Sequence, residues 1–199
     1  MKKTLLSLLL LGATISSTFA QEKDKRQEVG INFSSLNSFG FTYKTGTSKN
    51  LWRFNVLALN LNNNDIETDD ATRGNQKQFN IGAQVSIGKE FRKDITKNLE
   101  FRYGFDVSFA YSYIKSTREA TPIFEDERTL YTPSLAGVIG VNYVFNDHLA
   151  FGVELLPRFS YSTGDFKETN GTNIINGDIS NYGFSLGNNL AQLSLSYRF

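Results

Sequence analysis

From Leu99 to Tyr113 every odd position is apolar or aromatic: Leu99, Phe101, Tyr103, Phe105, Val107, Phe109, Tyr111 and Tyr113. The even positions between them read Glu100, Arg102, Gly104, Asp106, Ser108, Ala110 and Ser112. Strict alternation puts the two sets on opposite faces of a strand, whereas a helix would scatter the aromatics around its whole circumference. The same period of two recurs along the chain. Val29, Ile31 and Phe33 alternate with small polar residues, as do Phe39, Phe41 and Tyr43, and then Trp52, Phe54 and Val56 opposite Arg53 and Asn55. Phe79 to Ile87 oppose Asn80, Gly82, Gln84, Ser86 and Gly88. Tyr131 to Phe145, Leu149 to Tyr161, and Leu193 to Phe199 complete the series. The pattern predicts eight strands.

Which face is buried decides the class. A soluble sandwich or barrel turns its apolar rows inward, and its core is mostly Val, Ile and Leu. Here the apolar face is rich in Phe and Tyr, while Gly30, Gly40, Gly82, Gly88, Gly104 and Gly152 share the polar face with serines and charges. Such a face suits a crowded, narrow lumen, with the aromatic face turned to lipid. The expectation is an all-β chain, an eight-stranded antiparallel up-and-down transmembrane β-barrel. Short polar connections at Gly46–Asn50, Arg92–Asn98 and Asn146–His148 alternate with longer ones at Leu61–Lys77, Lys115–Thr129 and Gly164–Asp178. Short periplasmic turns and long external loops have that asymmetry. Pro157 removes a donor from the seventh strand, and the eighth shifts phase near Gly187–Asn189.

The amino terminus reads as an export signal. Lys2 and Lys3 precede an apolar run, Leu5–Ile15, and Thr18 and Ala20 occupy the −3 and −1 positions of a cleavage site. Residues 1–20 are thus expected to form a cleavable signal peptide, and residues 21–199 the barrel domain. Composition narrows the chemistry. With no Cys and a single His, thiol nucleophiles, cysteine-ligated metals and two-histidine mechanisms are excluded. Lys+Arg 21 against Asp+Glu 20 leaves no basic excess to attract nucleic acid.

The terminal Leu193, Leu195, Tyr197 and Phe199, alternating and ending on Phe, resemble the C-terminal signal of bacterial outer-membrane proteins. With the strand pattern, the chain from Glu28 to Phe199 resembles the small OmpA/OmpX-like outer-membrane β-barrels. That resemblance implies the bacterial outer membrane as location, and surrounding lipid and lipopolysaccharide. It also implies delivery by the barrel assembly machinery. It does not specify an activity, because the fold carries several.

The inward phase collects Arg53, Gln84, Glu100, Arg102, Asp106, Glu154 and Arg158. An eight-stranded lumen is only wide enough for side chains to fill it, and charges buried there must be paired. The expected arrangement is an ion-pair network plugging the barrel; the competing one is a narrow, charge-lined path for small ions. His148, in the short turn Asn146–His148, has no evident serine partner and is not expected to be catalytic. The acidic stretch Asn64–Asp70 lacks the glycine and terminal Glu of a calcium loop. No enzyme activity, metal or cofactor is expected. The role read from the sequence is a monomeric envelope protein that is either structural or a scaffold for adhesion or binding of an unknown surface ligand through its external loops. A small-solute pore is the alternative, which a ten-stranded count would favour.

Overall fold

The computed structural model describes residues 25–35, 38–68, 74–120, 122–146, 148–186 and 191–199, without the side chains of 34, 35, 38 and 57–60. The expected signal peptide and the phase shift near Gly187–Asn189 lie outside the described residues. Ten strands are described: β1 (Lys25–Ser35), β2 (Ser38–Thr47), β3 (Asn50–Ile66), β4 (Asn75–Thr96), β5 (Leu99–Glu119), β6 (Phe124–Val144), β7 (Leu149–Leu155), β8 (Arg158–Asn170), β9 (Asn173–Ser185) and β10 (Ala191–Arg198). All pair antiparallel.

The sheet closes on itself. Hydrogen bonding runs from β1 through β2, β3, β4 and β5 to β6, then through β7 and β10 back to β1. β8 and β9 extend the wall beyond this ring. β6 pairs with β7 through Ile139–Val144 and with β8 through Phe124–Ala136. The eight strands expected from the sequence therefore become ten, for two reasons. First, the expected strand Leu149–Tyr161 is divided at Leu156 and Pro157. Pro157 has no N–H to give the ladder, yet its carbonyl accepts from the Gly137 N–H at 2.8 Å. The register with β6 is the same on both sides, Ile139 opposite Leu155 and Ala136 opposite Arg158.

Second, the long loops are largely strand. β3 runs on to Ile66 and β4 starts at Asn75; β5 reaches Glu119 and β6 starts at Phe124. β8 and β9 meet at a tight turn in which Gly171 has φ 60°, a backbone conformation suited to glycine. These extensions pair residue by residue, for example Lys115 opposite Glu127 and Asp65 opposite Lys77. Alternation fails to announce them because both faces of a projecting sheet meet water, so neither needs an apolar row. The acidic stretch beginning at Asn64 loses its loop character in part, since Asn64 to Ile66 belong to β3. Arg92, expected in a turn, lies inside β4, which continues to Thr96.

Burial is inverted relative to a soluble barrel. Phe41 is 57 % exposed, Phe105 48 % and Val107 51 %, whereas Glu28 and Glu90 are fully buried. An exposed apolar surface this extensive belongs against lipid. Aromatic rings pair across strands on that outer face, among them Tyr43 with Phe54 at 6.3 Å and Phe91 with Tyr103 at 5.5 Å. The outer wall is suited to lipid, while the interior is held together by charge.

Candidate functional site

The side chains with the most demanding environment are in the lumen. Arg53 on β3 reaches three carboxylates on three other strands. Its Nη2 lies 2.9 Å from Glu154 Oε1, its Nη1 3.1 Å from Glu90 Oε2, and its Nε 3.2 Å from Asp106 Oδ1. Glu154 on β7 also receives Arg102 Nη2 from β5 at 3.0 Å. Glu90 on β4 is the most connected group. Lys44 Nζ donates to it at 2.8 Å, and Arg92 Nη2 lies 2.6 Å from its other oxygen.

Arg92 then bridges to a second set of charges. Its two terminal nitrogens each bond a Glu28 oxygen at 2.7 Å, and Nη1 lies 3.2 Å from Glu100. Arg198 on β10 joins Glu28 at 3.0 Å and Glu100 at 2.6 Å. The result is one connected cluster of five buried cations (Lys44, Arg53, Arg92, Arg102, Arg198) and five buried carboxylates (Glu28, Glu90, Glu100, Asp106, Glu154), which half-buried Arg26 joins at Glu28 and Glu100. It ties together β1, β2, β3, β4, β5, β7 and β10 across the axis.

The physical reason for the cluster is desolvation. Each ion taken from water costs several kcal/mol unless oppositely charged partners and hydrogen bonds replace the solvent, so an unpaired member would not remain charged there. Small residues make the room. A Cβ at Gly152 would run into the Asn142 and Ser194 side chains and stand 3.0 Å from Arg102 Nη2. Gly152→Val is expected to displace Arg102 from Glu154 and to lower the urea midpoint of the folded chain in lipid vesicles; an unchanged midpoint would argue against tight filling at this level.

Of the residues singled out in the sequence, Arg53, Glu100, Arg102, Asp106 and Glu154 all enter the cluster. Gln84 and Arg158 do not; they line a cavity of about 10 Å³ next to it, with Asn55, Ser86, Ser108 and Gln192. Sequence reasoning did not select Glu28, Lys44, Glu90, Arg92 or Arg198. The signal was present: the even phase of Asn80 to Gly88 continues unbroken into Glu90 and Arg92. Leu193, Leu195, Tyr197 and Phe199 are all exposed on the outer face. His148 stacks on Tyr197 with centroids 5.5 Å apart, and its Nδ1 lies 3.0 Å from the Arg198 carbonyl oxygen.

Beyond the ring, the outer face of β5, β6, β8 and β9 carries rings and then charges. Tyr111 and Tyr131 are paired neighbours, and the next row brings Tyr113, Thr129, Asp165 and Asp178 into line. A shallow groove of about 500 Å³ crosses this row, lined also by Glu127, Phe166 and Lys167.

A closed antiparallel wall, apolar outside and ion-paired inside, defines an integral outer-membrane β-barrel by its fold. Comparison with solved structures agrees. The chain is similar to a major outer membrane protein from Thermus thermophilus, with a TM-score of 0.58 and 10% identity over 88% of this chain and 99% of that one. CarO of Acinetobacter baumannii also matches, with a TM-score of 0.33 and 10% identity over 87% of this chain and 96% of that one. No protein-family model matches the chain, and no curated protein matches its sequence.

Proposed function

We propose that the protein is a closed-lumen scaffold of the bacterial outer membrane that presents a rigid β-sheet outside the cell for binding. The observation that carries this reading is the buried ion-pair cluster, which occupies the ring where a solute would have to pass. We infer further that the wall counts as eight staves, β7 with β8 and β9 with β10 each forming one. The unbroken register across Pro157 supports this, as does a hydrogen-bonded ring of β1 to β7 with β10. That size matches a lumen filled by side chains rather than water.

The external role rests on the extended strands. β5 has 21 residues, about twice the 9–11 needed to cross the membrane. The wall formed by β3, β4, β5, β6, β8 and β9 therefore stands well clear of the lipid, with the β8–β9 connection a tight turn at Gly171. Two of its edges have no strand partner among the described residues, that of β9 and that of β3 beyond Leu57. Unpaired N–H and C=O groups along such an edge are a template for an added strand. A surface protein carrying an exposed strand is the class of partner this fits. We propose no catalytic role: the one histidine is engaged by Tyr197 and the Arg198 carbonyl at the opposite end of the barrel.

The test is conductance of the refolded chain in a planar lipid bilayer, with insertion verified separately. The expected trace is silent. Discrete, reproducible steps would overturn the closed lumen and favour the narrow pore instead.

A further inference from the structure

Beside the ion-pair cluster, towards the projecting sheet, the lumen keeps a cavity of about 10 Å³. Four buried polar atoms on residues lining it have no hydrogen-bond partner: Arg53 Nε, Asn55 Oδ1, Asp106 Oδ1 and Arg158 Nε. Arg53 Nε and Asp106 Oδ1 attract each other as ions at 3.2 Å, but without the alignment of a hydrogen bond. Arg53, Asn55 and Asp106 are each more than nine-tenths buried. Buried polar groups are almost always satisfied, so four orphans around one cavity point to something that fills it.

Charge narrows what that is. The five carboxylates of the cluster already face six cations, Arg26 included, and Arg158 makes no ion pair or hydrogen bond among the described residues. Arg158 is half-buried, so solvent can neutralise it only in part, and the carboxylate that attracts it, Asp106, is already paired with Arg53. A water molecule would satisfy single donors and acceptors but bring no countercharge. The unpartnered acceptors, Asn55 Oδ1 and Asp106 Oδ1, require in addition a group that donates.

We propose that this cavity is the floor of a binding site for a small hydroxylated carboxylate, such as a sugar acid. The carboxylate pairs with Arg158, a hydroxyl enters the water-sized space and donates to Asn55 Oδ1 or Asp106 Oδ1, and Gln84 and Gln192 offer further amide contacts. The wall beyond is hydroxyl-lined, with Ser108 and Ser134 2.6 Å apart and Thr132 and Ser162 2.9 Å apart, which suits a polar solute. A ligand that reaches the floor of a closed ring must be a free, diffusible molecule. The site is a blind one: the cluster beneath it stops passage, so the solute is held rather than transported.

The experiment is isothermal titration of the refolded full mature chain in detergent with sodium gluconate, sodium acetate and glucose. Gluconate is expected to bind saturably, acetate more weakly, and glucose not at all. Arg158→Gln, which lies outside the ion-pair cluster, should weaken gluconate by at least about tenfold, as loss of charge-assisted hydrogen bonds does. Asn55→Ala should weaken gluconate and leave acetate unchanged. Absence of saturable gluconate binding to correctly folded protein, or equal binding by Arg158→Gln, would overturn the site. A bilayer that stays silent in either case keeps that failure separate from failure of the closed-lumen reading.

Discussion

Val107→Arg is expected to destabilise the folded chain by about 2–4 kcal/mol, the cost of a lipid-facing arginine near the bilayer midplane. Val107 points outward from the middle of β5, half exposed, between Phe105 and Phe109. If water covered this face, an arginine there would be nearly neutral, since exposed substitutions away from special features stay within about 0.5 kcal/mol. The two environments thus predict results that differ severalfold. Urea-dependent unfolding from lipid vesicles, followed by tryptophan fluorescence, measures the difference directly. A value within error of wild type would contradict the lipid-facing assignment. Replacing the exposed Gln78 in the projecting part of β4, opposite Asn64 and Ser116, with Arg serves as the control, and is expected to stay within about 0.5 kcal/mol.

Glu90→Ala should be at least as damaging, by about 3–5 kcal/mol, the usual cost of breaking a buried ion pair from one side. Its carboxylate is fully buried and faces Lys44, Arg53, Arg92 and Arg102 at 2.6 to 3.8 Å. Removing it leaves an excess of cations with no solvent to compensate them. The penalty therefore comes more from the stranded partners than from the lost bonds, which makes a compensating change informative. Glu90→Ala combined with Lys44→Met restores the charge balance and is expected to recover part of the loss. A double variant as unstable as the sum of the two single variants would mean that Glu90 and Lys44 act independently, against a shared network. The readout is the same unfolding measurement, so the lipid-facing and lumen-facing costs can be compared on one scale.

Legibility in the sequence followed what each segment had to bury. Along Leu99–Phe109 lipid on one side and a polar lumen on the other impose opposite chemistries on adjacent residues, so the period of two is strict and the facing of Arg102 and Asp106 can be read by parity. Past Tyr113 the same strand continues into water, the constraint disappears, and Lys115–Arg118 read as loop although they pair with β6. The division at Pro157 could be anticipated from its missing N–H. That the ladder resumes in register beyond it could not, because the Gly137–Pro157 contact depends on the neighbouring strand.

The lumen has the same division. Parity places Arg53, Glu100, Arg102, Asp106 and Glu154 inside, and it would have placed Glu90 and Arg92 there too had β4 been carried past Gly88. Parity does not say who pairs with whom. Glu154 and Arg53 are about a hundred residues apart and meet only because β3 and β7 face each other across the axis, at a height set by the stagger of the closed ring. By itself, then, the sequence determined the strands that cross the membrane and the side of the wall on which each residue stands, because those follow from local alternation. Only the tertiary structure decided the partners of each charge, the height of the external sheet and the position of Arg158 outside the ion-pair cluster. These depend on shear and closure, which are properties of the whole ring.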